Sequence, residues 1–181
     1  MLSQSGSQNE IRRTTFTPPQ CTAHAAHCGL FLLRRAYDIE RIAGEDEDCR
    51  RLRQIPGVGP LVATATVAAI GNGAAFHIGR EFAAWLGLVP RQYSTGGKSK
   101  LYGISKRGNS YLRRMFIHGA RAVLLRVKYD TGGLGQWVHQ LEQRTARNKV
   151  IVAVVNKLAR ITWAVLFKEQ DYKPTAVCAQ A

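Results

Sequence analysis

The sequence predicts a mainly α domain that carries a helix-hairpin-helix-like element and a basic loop rich in serine and glycine. Three observations predict it. Apolar residues recur at helical spacing over long segments, most clearly at Leu112, Met115, Phe116, Ala120, Val123, Leu124 and Val127. Short clusters of Gly and Pro punctuate these segments, at Pro56-Gly57-Val58-Gly59-Pro60, Gly71-Asn72-Gly73 and Gly132-Gly133. Between residues 91 and 129 lie ten Lys and Arg and no Asp or Glu, which leaves a cationic surface beside a glycine-rich loop.

Taken in chain order, residues 1–24 are polar, contain the Pro18-Pro19 pair and lack apolar periodicity, so they read as a flexible tail. Residues 25–54 form a connecting helical region. Leu30, Leu33, Tyr37 and Ile42 mark a first helix over about 25–42, a natural surface for a partner. The cluster Glu45, Asp46, Glu47 and Asp48 then suits the start of a helix running toward Gln54, where carboxylates meet the positive end of the helix dipole. The main domain is expected over 55–168, with a second tail at 169–181.

The run from Ile55 to Pro60 precedes an apolar segment, 61–70, and reads as a tight turn between two helices. Gly57 and Gly59 allow unusual backbone angles, Pro60 fits a first helical turn, and the NH groups there are able to receive a phosphate oxygen. A plain helical turn that touches no nucleic acid fits the same residues, and the two readings stand level. Residues 81–88 give a short helix with Phe82, Trp85 and Leu86 as core candidates, stopped by Pro90. A loop over 91–103 leads to a long helix over about 109–128, with Arg107, Arg114 and Arg121 recurring every seven residues away from the apolar stripe. Ser105 and Ser110 are placed to cap it. Helices over about 134–145 and 148–167 complete the domain.

A formal net charge of +14, from 26 Lys and Arg against 12 Asp and Glu, favours a polyanionic partner, and nucleic acid above all. The apolar run 150–167 is broken by Asn156, Lys157 and Arg160, so no membrane span is expected. Residues 1–20 lack the pattern of a signal peptide, and Cys21, Cys28, Cys49 and Cys178 lack paired disulfide spacing; both suit the cytoplasm. Cys21, His24, His27 and Cys28 are metal-ligand types, but no second pair follows at zinc-site spacing, so no metal is expected in this chain.

Chemistry is expected in the acid-free segment. Metal-dependent hydrolysis needs several converging carboxylates, yet Glu81 is the only acid between Asp48 and Asp130. His77, His118 and His139 lie in apolar or helical contexts and form no triad pattern. What remains is a hydroxyl among cations. Ser94 is the candidate nucleophile, and Arg91, Thr95, Gly96, Gly97, Lys98, Lys100, Lys106, Arg107, Arg113 and Arg114, together with Gly57 and Gly59, are the candidate phosphate-gripping set. Composition alone favours the blander reading, in which this is a surface loop whose cations hold a nucleic acid by counterion release without bond formation.

Residues 82–98, FAAWLGLVPRQYSTGGK, and 103–114, GISKRGNSYLRR, resemble the C-terminal domain of insertion-sequence transposases of the IS one-ten, one-sixteen and nine-oh-two class. The resemblance runs from the helix before Ile55 to about Lys168. It implies a DNA recombinase that moves a mobile element, in some members guided by an RNA, with Ser94 forming a phosphoserine link to DNA. The adjacent Thr95 leaves that assignment open by one residue, and Ser99, Ser105 and Ser110 are weaker candidates. Intact members also carry an acidic RNase H-like half that binds metal, and nothing in residues 1–27 is similar to it. The resemblance therefore implies a truncated chain that is inactive alone, with Mg²⁺ entering only alongside the acidic half. DNA is the implied partner, with a guide RNA, a second copy or an intact transposase as further ones. A module that binds DNA or RNA without chemistry, or that regulates an intact transposase, is the alternative.

Overall fold

The computed structural model describes residues 21–126 and 132–174, with side chains over 31–126 and 133–174. Residues 1–20 of the expected tail 1–24, residues 175–181 of the expected tail 169–181, and the expected helical residues Val127 and Lys128 lie outside the described residues. Seven helices and one two-stranded sheet occur among the described residues. In order they are α1 (Cys21–Glu45), α2 (Glu47–Arg53), α3 (Pro60–Ile70), α4 (Gly79–Trp85), β1 (Pro90–Thr95), β2 (Lys98–Ile104), α5 (Ser110–Arg126), α6 (Gly132–Arg144) and α7 (Arg147–Lys168). The expected mainly α class is what the chain adopts.

Two units are distinguished, 1–36 and 37–181. In the first, residues 31–36 of α1 are exposed, and the Arg35 guanidinium lies 5.1 Å from the centre of the Phe31 ring. Helix begins at Cys21, four residues before the expected start.

The second unit is built on α7, which packs against α2, α4, α5 and α6, while α3 packs on α2 and α5. Burial of Val150, Val154, Val155, Leu158, Trp163 and Leu166 shows why α7 is so apolar. Its length and hydropathy would let it cross a membrane, but here it is the spine of a packed core. Facing it are Phe82 and Leu86 at the end of α4 and Leu112, Phe116 and Ala120 on α5, all at most 1% exposed. Each buried Phe or Leu contributes about 1.5–3 kcal/mol from its apolar area. Phe82 and Phe116 meet edge to face with centroids 6.2 Å apart, which fixes α4 against α5.

The acidic cluster does what a helix start requires. Asp46 is the N-cap of α2, its Oδ2 accepting from the Cys49 backbone N–H at 3.2 Å, and Arg51 bridges Glu47 and Asp48 one turn later. Beyond α7, residues assigned from sequence to a tail are tied back to α2. The Gln54 side chain donates to Asp171 Oδ1 at 3.0 Å and accepts from the Tyr172 backbone N–H at 3.2 Å.

Trp85, expected in the core, is instead exposed, and two expectations about helix ends are corrected. Helix α4 stops at Trp85 rather than at Pro90, because Leu86 is its C-cap and Gly87 turns the chain with φ +73°. Neither Ser105 nor Ser110 caps α5. Asn109 does, its Oδ1 accepting from the backbone N–H groups of Tyr111 and Leu112, both at 3.1 Å.

Candidate nucleic-acid interface

The segment read from sequence as a loop over 91–103 is an antiparallel β-hairpin. Gly96 and Gly97 have φ +58° and +75°, both in the left-handed region that a two-residue hairpin turn of the primed type demands. Gln92-Tyr93-Ser94-Thr95 and Lys98-Ser99-Lys100-Leu101 then pair across it as strands. The serine and glycine content suggested a loop, but the two glycines only make the turn, and the flanking aromatic and β-branched residues make the ladder.

Both faces of the hairpin are open to solvent. Every residue of β1 is exposed, as is every residue of β2 except the half-buried Ile104. An isolated two-stranded ribbon is marginally stable on its own, so its root must hold it. The root is tight. Ser105 donates its backbone N–H to Val89 O at 2.8 Å, and Lys106, with φ +57°, donates to Gly87 O at 3.1 Å. Gly87 and Gly108 (φ +101°) press so closely on the backbone of Arg107 and Trp85 that a Cβ at either would collide with a carbonyl. Arg113 completes the clamp, its half-buried Nη1 donating to Leu86 O at 2.9 Å. That guanidinium satisfies a carbonyl at the end of α4.

Strand register sorts the candidate residues into two faces. Directly paired residues lie on one face, so Ser94 shares its side with Gln92, Ser99 and Leu101, while Thr95 shares the other with Tyr93, Lys98 and Lys100. Ser94 is exposed, and its Oγ accepts from Gln92 Nε2 at 2.8 Å. The structure thus brings Thr95, Lys98 and Lys100 together and sets Ser94 on the reverse side of the ribbon. On α5, Arg114 and Arg121 are exposed seven residues apart, and Arg114 Nε donates to Ser110 O of its own helix at 3.3 Å. Arg91, Lys106 and Arg107 are exposed at the hairpin and its root.

The turn between α2 and α3 splits the two glycines expected to meet phosphate. Gly57, with φ +84°, packs on α5, where an added Cβ would meet Val123 Cγ2 at 2.5 Å and Gly119 O at 2.8 Å. Gly59 is the N-cap of α3, exposed, with open space around its Cα. The Cα of Gly57 thus faces α5, whereas that of Gly59 faces open space.

No group of three or more His, Cys, Asp or Glu that could hold a metal occurs among the described residues. The side chains of Cys21, His24, His27 and Cys28 lie outside them. His77 and Glu81 serve the start of α4, where the His77 backbone N–H donates to Glu81 Oε2 at 2.8 Å. His139 lies 3.1 Å from Gln143 on α6. Sequence reasoning missed Gln92 as a partner of Ser94. Reading the Gly-Gly pair as a hairpin turn would have put them on one strand face.

Residues 49–133 match the family model described as transposase of the IS116/IS110/IS902 family. The chain is 50% identical over 129 residues to a probable family 20 transposase of Pseudomonas aeruginosa, covering 71% of this chain and 38% of that protein. It is 45% identical over 136 residues to an insertion-sequence transposase of Coxiella burnetii, covering 75% and 37%. A third relative, the transposase for insertion sequence element IS1328 of Yersinia enterocolitica, is 44% identical over 139 residues, covering 75% and 42%. The chain thus spans less than half the length of the curated relatives it matches. With the family model and the relatives converging on the hairpin and the helices around it, this chain belongs to the IS116/IS110/IS902 transposase family.

Proposed function

We propose that this chain is a DNA-binding domain of a transposase, acting in the cytoplasm on an insertion sequence, with Ser94 as the nucleophile toward a DNA phosphodiester. The observation that carries it is the solvent-exposed hairpin with Ser94 on its surface, rooted in a segment that has no carboxylate from residue 91 to 126. Cations without acids hold a phosphate backbone by releasing its counterions. Lys98, Lys100, Arg107, Arg114 and the Gly59 backbone supply that grip. Gln92 steadies the alkoxide that Ser94 Oγ becomes on losing its proton; its attack forms the Oγ–P bond as one P–O bond of the phosphodiester breaks, and the departing deoxyribose oxygen leaves as a strand-end hydroxyl once protonated. Gln92 donates and removes no proton, so the proton acceptor, and any Mg²⁺, come with carboxylates from outside these residues, such as an intact transposase subunit.

The test is duplex binding across a salt series, followed by a search for a covalent protein–DNA adduct with wild type and Ser94→Ala, an acidic half being supplied in trans. Binding that weakens steeply with salt, and an adduct that vanishes in the variant at unchanged affinity, support the reading. Weak salt dependence, or an adduct that persists without Ser94, overturns it. A second reading is a module that binds DNA or RNA without chemistry, or that regulates an intact transposase. It is favoured by the placement of Ser94 on the opposite hairpin face from Lys98 and Lys100. No adduct in either form, even with an acidic half supplied in trans, would select it.

A further inference from the structure

A cavity of about 750 Å³ opens between the start of α4, α6 and α7, with Gly79, Trp137, Asn156, Lys157, Arg160 and Trp163 in its lining. No residue of the hairpin or its root lines it, whereas Lys157, Ile161 and Ala164 also line the neighbouring cavity beside the α2–α3 turn. Lys157 is half-buried, its Nζ 4.2 Å from the centre of the Trp137 ring, and Arg160 follows one turn later on α7. The Trp163 indole N–H is already committed to Gly73 O at 3.0 Å, so that ring is a wall and not a donor. Among the described residues no carboxylate lines this cavity. Two like charges held side by side, one of them partly desolvated, raise the free energy of the empty site and lower that of an occupied one.

We propose that this cavity binds a phosphate group, with Lys157 and Arg160 as cationic ligands and the Asn156 side chain as a neutral donor. Three donor groups of this kind match the several oxygens of a phosphate better than the two of a carboxylate. Burial, and then the charge of Arg160, push the Lys157 pKa below its ordinary value, so this lysine reports its own neutralisation.

The experiment uses the full chain with ¹³C-labelled lysine and ¹⁵N-labelled indole, at ionic strength held constant with chloride. Inorganic phosphate is titrated in one arm and an oligothymidylate without terminal phosphates in the other. Occupation is expected to raise the titration midpoint of Lys157 and shift the Trp137 indole signal, and Arg160→Gln to weaken phosphate binding about tenfold. Arg160 is exposed, so this variant is expected to fold. If both ligands move Lys157, the site takes a strand's phosphodiester as well as free phosphate. If only inorganic phosphate does, the ligand is a free phosphate or a monoester. If neither moves Lys157 or Trp137, or if Arg160→Gln binds as tightly as wild type, the proposal fails. A Lys98→Ala/Lys100→Ala variant separates the two sites, because it leaves the Lys157 signal unchanged whatever becomes of hairpin binding.

Discussion

Gln92 Nε2 donates a hydrogen bond to Ser94 Oγ at 2.8 Å, two residues away on the same face of β1. A donor at this position leaves the serine proton free to depart while stabilising charge that gathers on its oxygen. Gln92→Ala is therefore expected to slow adduct formation by about tenfold, less than a buried oxyanion donor because this one is exposed. Duplex affinity should stay unchanged. Single-turnover adduct kinetics, with an acidic half supplied in trans, check both values, and a rate equal to wild type would remove Gln92 from the mechanism.

Lysines on the hairpin and Arg113 should separate into binding and folding roles. Lys98 and Lys100 are exposed on one face, so Lys98→Ala/Lys100→Ala is expected to lower the slope of log affinity against log salt by about two, without changing stability. Arg113 spends its guanidinium on Leu86 O inside the fold. Arg113→Ala is expected to cost about 2 kcal/mol in urea unfolding and to leave the salt slope nearly intact. Equal salt slopes for the two variants would show that the sorting is wrong.

Gly119 is a packing glycine, and its substitution should be felt at a distance along the chain. A Cβ at Gly119 would collide with Gly57 O, and neither backbone has room to withdraw, since Gly57 also lies against Val123. Gly119→Ala is expected to destabilise by about 1–3 kcal/mol and to displace the α2–α3 turn. Denaturant unfolding measures the first, and amide shifts at Val58 and Gly59 report the second. Gly59→Ala, with open space around it, should do neither.

Much of this was readable from residue order. The apolar stripe of α5, the acidic start of α2 and the burial of Phe82 and Leu86 follow from helical spacing and charge near a helix end. The hairpin is hidden in the composition, because serine, threonine and glycine suggest a loop unless the Gly-Gly pair is taken as the turn. Composition therefore groups these cations with Ser94, whereas period-two alternation puts Lys98 and Lys100 on the face opposite it. The inward role of Gly57 was equally hidden, since it depends on Gly119, sixty-two positions later, approaching it in space.

Cys49 should set the alkaline limit of stability. It is 1% exposed in the first turn of α2, and burial first, then the Asp46 hydrogen bond and the charges of Asp46 and Asp48, push its thiol up to about 12 from an ordinary 9.0. The folded state thus favours the neutral thiol. Its contribution is complete below the unfolded value near 9.0, declines as pH rises above it, and is lost by about 12. Burial raises the Tyr172 pKa and acts in the same direction, whereas the lowered Lys157 pKa acts in the opposite one. Comparison with Cys49→Ala isolates the thiol from both. Between pH 9 and 11 the urea midpoint of wild type is expected to fall more steeply than that of Cys49→Ala, whatever the packing cost of the substitution at neutral pH. Parallel curves over that interval would mean that the thiol ionises as easily in the folded chain as in the unfolded one.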